Sequence, residues 1–233
     1  MSKSRALPPP ATPRWQKLLI GSALALIAVA FLLRMLLRQA PEFYREELAL
    51  SAAGQQAASD ACLANITATV SQARRAGDWR AEFTEDELNG WLAYDLPNNH
   101  PELADEAVGA PRVDFEENRG QIAFEYRGLV TTYVNVAFDA EVRDQNTLAI
   151  RFLQLRGGAV PLPLGSIIEP MTSIAGQLGQ PVQWTEEDGY PVALLTFVPS
   201  DAEKSEIELV QVSIEQDRIV LEGNTKARSG APR

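Results

Sequence analysis

VTTYVNVAFDAEVRDQNTLAIRFLQLRGG, residues 130–158, decides the fold. Val130, Val134, Val136, Phe138, Ala140 and Val142 share one parity, the polar residues Tyr133, Asn135, Asp139 and Glu141 hold the other, and Asp144-Gln145-Asn146 marks a turn. Period-two alternation rich in β-branched residues predicts a long strand, returning through Thr147–Gly157 as its antiparallel partner. Strands of this length twist and coil, so a sheet built from them is expected to curl around whatever covers its apolar face.

Toward the C-terminus the alternation breaks in GGAVPLPLGSIIEPMTSIAGQLG, residues 157–179. Pro161 and Pro163 remove two backbone donors, so the ladder must end or become an edge there. Ser166 and Glu169 have the spacing of a capping box, although Pro170 would then delete an early intrahelical bond. The regular helix therefore starts either at Ser166 or at Pro170, and Gly179 and Pro181 stop it. Leu162, Leu164, Ile167, Met171, Ile174 and Leu178 form the apolar set of this corner. They are the candidate residues for an apolar ligand held between sheet and helix, and the same stripe would serve equally to close a core. Two more hairpins follow, turning at Glu187-Asp188-Gly189 and at Gln216-Asp217. In the last one the apolar parity slips between Leu209 and Val210, which predicts a bulge.

Toward the N-terminus, Arg112–Gly128 reads as a hairpin about Glu117-Asn118-Arg119-Gly120. Before it stands FTEDELNGWL, where Thr84 with Glu87 makes a capping box and Phe83 with Leu88 a hydrophobic staple. The helix so started presents Leu88, Trp91 and Leu92 and is expected to end at Pro97. Glu85, Asp86 and Glu87 crowd its first turn, where the helix dipole favours acids without any catalytic purpose. Residues 41–77 carry no proline after Pro41 and predict one long helix of small residues, with Leu48, Ala52, Gln55, Ser59, Cys62, Ile66, Thr69 or Val70, and Ala73 along one stripe.

The start of the chain differs in kind. Sixteen uncharged residues run from Leu18 to Leu33, with Trp15 and Lys17 on one side and Arg34 and Arg38 on the other. If Arg34 snorkels, the apolar stretch reaches Leu37, enough for a transmembrane helix at 16–38. A cleaved signal peptide fits poorly, because Ala28-Val29-Ala30 lies inside the apolar run and not after it. Lys3, Arg5, Arg14 and Lys17 precede the span and Arg34, Arg38 and Arg45 follow it, which favours a cytoplasmic N-terminus. The expectation is a single-pass protein of the cell membrane whose body is periplasmic or extracellular.

Beyond residue 40 there are 15 Lys and Arg against 31 Asp and Glu, a net charge of −16. That balance makes nucleic acid an unfavourable partner. One histidine and one cysteine leave no thiolate or imidazole cluster for a metal. Neither a nucleophile elbow nor a phosphate-binding glycine loop occurs. The carboxylate clusters coincide with turns, so no catalytic residue, metal ligand or cofactor is assigned.

The single span, Thr84, Leu88 and Asn89 at the helix start, and the Pro161–Pro163 segment before an apolar helix together resemble the YpmS-like family of bacterial membrane-anchored extracytoplasmic proteins. The resemblance implies a long helix against a curled antiparallel sheet, similar in architecture to lipid-cradling domains, and it implies no activity.

The sequence thus predicts an α+β protein with five segments. These are a tail at 1–15, a transmembrane anchor at 16–38, a long helix at 41–77, an extracytoplasmic α+β domain at 78–224 and a tail at 225–233. Its expected function is non-catalytic binding of a lipid or other apolar ligand. The alternative is an envelope scaffold docking on another membrane protein.

Overall fold

The structure, a computed structural model, describes residues 14–47, 51–101, 108–109, 111–128, 130–144, 146–177, 179–196 and 205–227, without the side chains of 14–21, 46, 47, 177, 205 and 227. The chain divides into two compact units, residues 1–36 and residues 37–233. The first is described by helix α1, Arg14–Leu37. Among the described residues no helix is long and apolar enough to cross a membrane.

The second unit is a mixed α+β body with two antiparallel sheets. Its helices are α2 (Glu42–Glu47), α3 (Ala52–Ala73), α4 (Glu85–Gly90), α5 (Leu96–Asn99) and α6 (Ile168–Gln177). Its strands are β1 (Gly77–Thr84), β2 (Arg112–Glu116), β3 (Arg119–Arg127), β4 (Thr131–Asp144), β5 (Thr147–Gly157), β6 (Val160–Pro161), β7 (Val182–Glu187), β8 (Tyr190–Thr196), β9 (Ser205–Glu215) and β10 (Arg218–Ala227). The small sheet runs β1-β10-β9; the large one runs β2-β3-β4-β5-β8-β7, with β6 paired to β5. Neither sheet is closed.

The hairpins stand where the turn chemistry put them. Asn118, Asn146, Asp188 and Asp217 occupy positive φ of 60°, 60°, 52° and 63°. Asn and Asp are the non-glycine residues that tolerate this left-handed turn conformation best. The parity slip in β9 is a bulge: Glu222 pairs with Gln211 but Gly223 with Leu209, so Val210 is the extra residue. The β4–β5 ladder also slips between Ala137 and Phe138, where Leu153 of β5 is the extra residue, and Val136 and Ala137 are both buried although they are neighbours on β4, so the strand is covered on both faces there. The last strand reaches Ala227, past the expected boundary at 224, because Thr225 is 2 % exposed, pairs with Gly77 and donates to the Ala73 carbonyl at 2.7 Å.

Three helical expectations need correction. The long helix over 41–77 is two helices: α3 starts afresh at Ser51, whose hydroxyl accepts from the Gly54 amide at 3.2 Å. Serine here competes for the backbone and starts a new helix instead of continuing the old one. On α3 the stripe keeps Ser59, Cys62 and Ala73 inside, while Ile66 turns out to solvent and Asn65 takes its place as a contact with the fold. WRAEFT, read only as a lead into a helix, is strand β1 along β10. Its neighbour is 140 residues away in sequence, so local pattern held no sign of it.

Pro97 does not end the helix begun at Thr84. A π-helical turn, Trp91–Asp95, joins α4 to α5, with the Leu96 amide bonded to the Trp91 carbonyl. The wide turn changes the bonding register just before proline, which has no amide to place and sits in the first turn of α5.

Candidate functional site

The expected apolar site lies where β5 leaves the large sheet. Pro161 pairs with Arg156 and the ladder stops, as two prolines require. A 3-10 turn, Leu164–Ile167, follows, and the Ser166 amide bonds to the Pro163 carbonyl at 3.0 Å. Ser166 is therefore inside a tight turn and makes no capping box, and the regular helix starts at Ile168, between the two expected starts. α6 stops at Gly179, φ 66°, where the Gln180 amide reaches the Ala175 carbonyl at 2.9 Å and the Gly179 amide reaches that of Gly176 at 3.1 Å. This pair of bonds satisfies the last carbonyls in the manner of a Schellman stop.

The six candidate residues separate. Ile167 is buried among Val136, Phe152, Leu155 and Ala193, with Leu164 and Met171 packed against the same cluster. Leu162 and Ile174 face outward, 37 % and 48 % exposed. Leu178 lies outside the described residues. Half of the set thus closes the core of the large sheet, and the chain's own side chains occupy the contact between α6 and the strands. Trp184 on β7 finishes this edge, its ring centroid 5.8 Å from that of Phe152 and its indole NH donating to the Thr172 hydroxyl at 2.9 Å.

Titratable groups assemble elsewhere, around α3 and the π-helical turn. Asp95 is 4 % exposed, accepts from the Asn99 side-chain Nδ2 at 2.5 Å and stands 3.5 Å from His100 Nε2. Cys62 is 1 % exposed, and burial, with Glu87 and Asp95 adding to it, pushes its thiol up to about 11. Such a thiol is a packing group and a poor nucleophile at neutral pH. Among the described residues no three His, Cys, Asp or Glu converge to hold a metal.

The motif Thr84, Leu88, Asn89 acquires a structural meaning here. Thr84 and Glu87 form both bonds of the capping box, and Leu88 belongs to the cores on both sides of α4. Asn89 is 1 % exposed and meets both backbone groups of Val113, donating to its carbonyl at 2.9 Å and accepting from its amide at 2.7 Å. Glu85 accepts from the Phe115 amide at 2.9 Å. Residues four apart on a helix match residues two apart on a strand, so α4 covers the outer edge of β2. These are structural roles, and they account for the acidic first turn without chemistry.

One concave feature was not legible in the sequence. Arg38, Gln39, Ala40, Tyr44, Arg45 and Tyr133 line an open cleft of about 500 Å³. Tyr44 is 3 % exposed and packs edge-on against Tyr133 at 5.4 Å. Burial raises its phenol above the ordinary value, and the charge of Arg112 works in the opposite direction. Tyr133 comes from the polar face of β4, far along the chain, so no local spacing announces the pair.

The chain matches no known protein family, no curated protein and no solved structure.

Proposed function

We propose that the protein is a single-pass membrane protein, anchored through residues 16–38, whose extracytoplasmic α+β domain works by binding and not by catalysis. The observation that carries this reading is α1: Leu24, Leu26, Ile27, Val29, Phe31, Leu32, Leu33 and Met35 are 46–70 % exposed. At about 1.5–3 kcal/mol for each full burial, hydrocarbon around these residues would contribute on the order of 10 kcal/mol. The distribution of Lys and Arg about the span favours a cytoplasmic N-terminus. The resemblance to the YpmS-like family, carried by Thr84, Leu88, Asn89 and Pro161–Pro163, points the same way. An apolar ligand or lipid chain would lie over Leu162 and Ile174 rather than beneath the helix, since Ile167 and Met171 are engaged in the core.

The test is topology. With Cys62 replaced by Ala, single cysteines at Ser4 and at Ser229 are expected to be shielded from and open to a membrane-impermeant maleimide, respectively, in intact cells. The full chain is expected to resist alkaline extraction. Release by alkali, or equal labelling of both positions, overturns the anchor.

A second reading, docking on another envelope protein, is favoured by Leu63, Ile66 and Val70, which follow helical spacing on α3 and are 37 %, 39 % and 45 % exposed. A photo-crosslinker at Ile66 that captures a polypeptide in membranes, in a chain that retains no lipid, would place the scaffold reading first.

A further inference from the structure

We propose that the cleft lined by Arg38, Arg45, Tyr44 and Tyr133 is a binding site for a phosphate ester, the charged part of a phospholipid headgroup or of a soluble phosphate. The proposal deepens the membrane-anchored reading and rests on it for the lipid source.

Two observations carry it beyond the presence of a cleft. The first is the state of the arginines. Among the described residues five other guanidinium groups of the second unit meet carboxylates: Arg80 with Glu222, Arg127 with Glu125, Arg143 with Glu141 and Glu187, Arg151 with Asp139, and Arg218 with Glu82 and Glu215, whereas Arg75 and Arg119 have no ion pair. Among the described residues Arg38 and Arg45 have neither an ion pair nor a side-chain hydrogen bond, although the body carries 31 acids against 15 basic residues. Among the described residues no carboxylate lines the cleft, so the two forks present their donors to an outside ligand. Planar guanidinium groups match phosphate oxygens in two-bond geometry, and a pair can neutralise one phosphodiester or the greater charge of a monoester. The distant acids do not cancel this, because screening at physiological salt acts within about 8 Å.

The second is position. Arg38 follows Leu37, the last residue of α1, directly along the chain. With α1 in a bilayer, one residue of chain, about 3.8 Å, separates its end from the first cleft residue. Headgroup phosphates lie at that depth. Tyr44 gives the cleft a rigid wall, being 3 % exposed and braced by Tyr133. Tyrosine is also a residue enriched at membrane interfaces.

The experiment uses the full chain in two settings. In nanodiscs of phosphatidylcholine with about 30 % phosphatidylglycerol, native mass spectrometry after detergent transfer is expected to show retained phosphatidylglycerol in preference to phosphatidylcholine. In phosphate-free maltoside detergent, titration with inorganic phosphate reports the soluble source by phosphorus NMR line width. The double variant R38Q/R45Q is expected to lose the retained or titrated species by about tenfold or more, as removal of charge-assisted hydrogen bonds should. The charge-matched control R143Q/R218Q is expected to keep it. Lipid retention without phosphate binding identifies the headgroup as ligand, and phosphate binding without lipid selectivity identifies a soluble ester. Equal retention in the parent and R38Q/R45Q, equal loss in the control, or no anion binding in either setting overturns the site. Insertion into pure phosphatidylcholine discs is scored separately. A chain that inserts but binds no anion sinks this inference alone, and a chain that binds phosphate but fails to insert sinks the anchor alone.

Discussion

Two helical layers cover the two sheets, and they are fastened by different means. Over the small sheet and the edge of β2, α3 and α4 add polar ties to the apolar cluster of Cys62, Ala81 and Phe83: the buried bonds of Asn89 to Val113 and of Thr225 to the Ala73 carbonyl, and the half-buried ones of Glu85 to Phe115 and of Asn65 to the Glu82 carbonyl at 2.5 Å. Over the large sheet, α6 and the 3-10 turn before it are held by Met171 and Ile167 among apolar side chains, with a tryptophan hydrogen bond at the rim. Apolar packing is forgiving of direction, whereas a buried amide must meet its partner or stay unsatisfied. The first layer therefore fixes where the helices sit relative to the strands, and the second mainly excludes water.

This contrast can be broken most severely where backbones approach. A Cβ on Gly90 would stand 2.5 Å from Ala58 Cβ and 2.7 Å from the Ser59 amide, so Gly90→Val is expected to cost about 3 kcal/mol or more, read by urea denaturation of the full chain in detergent. Asn89→Ala strips both partners from Val113 and should cost about 2–4 kcal/mol in the same assay. If Asn89→Ala were neutral, the polar tie would have no thermodynamic weight and the contrast would collapse.

On the apolar side, Ile167→Ala is expected to cost about 2–3 kcal/mol, at the low end for a core truncation if α6 can settle toward the sheet. Trp184→Phe removes the bond to Thr172 and part of the ring packed on Phe152, and should cost about 1–2 kcal/mol. Ile174→Ser, at an exposed position, is expected to stay within about 0.5 kcal/mol. A loss at Ile174 as large as at Ile167 would mean that the outer face of α6 is covered in solution.

The smallest expected effect is electrostatic. Hydrogen bonding from Arg218 holds the Glu82 carboxyl below its ordinary value, and Arg143 does the same for Glu187. A lowered folded value stabilises above the unfolded carboxylate value of 4.5 and loses that contribution as pH falls through the folded one. Denaturation midpoints should therefore slip slightly in the acid range, and less in high salt. E82Q and E187Q together should flatten that slope. The Cys62 thiol sharpens the same comparison from the alkaline side: with its value pushed up to about 11, it should resist thiol reagents at pH 8 until the α3 layer is unfolded.

The sequence by itself determined what depends on neighbours along the chain. The capping box at Thr84, the turns at Asn118, Asp188 and Asp217, the bulge at Val210 and the proline stop after β5 all rest on local sterics and local hydrogen bonds. Each was legible from a few residues. Tertiary structure alone decided which apolar residues of the stretch 157–179 turn inward, that WRAEFT is a strand, and that the helix from Thr84 runs past Pro97 through a π-helical turn. It also decided that Asn89 caps a strand edge and that Arg38 and Arg45 line one cleft with Tyr133. These outcomes depend on partners tens of residues away, and side-chain periodicity carries no record of which distant surface will arrive. The physical division is between the range of a turn or a cap, within about one helical turn of chain, and the range of packing, which is set only once the sheets have formed.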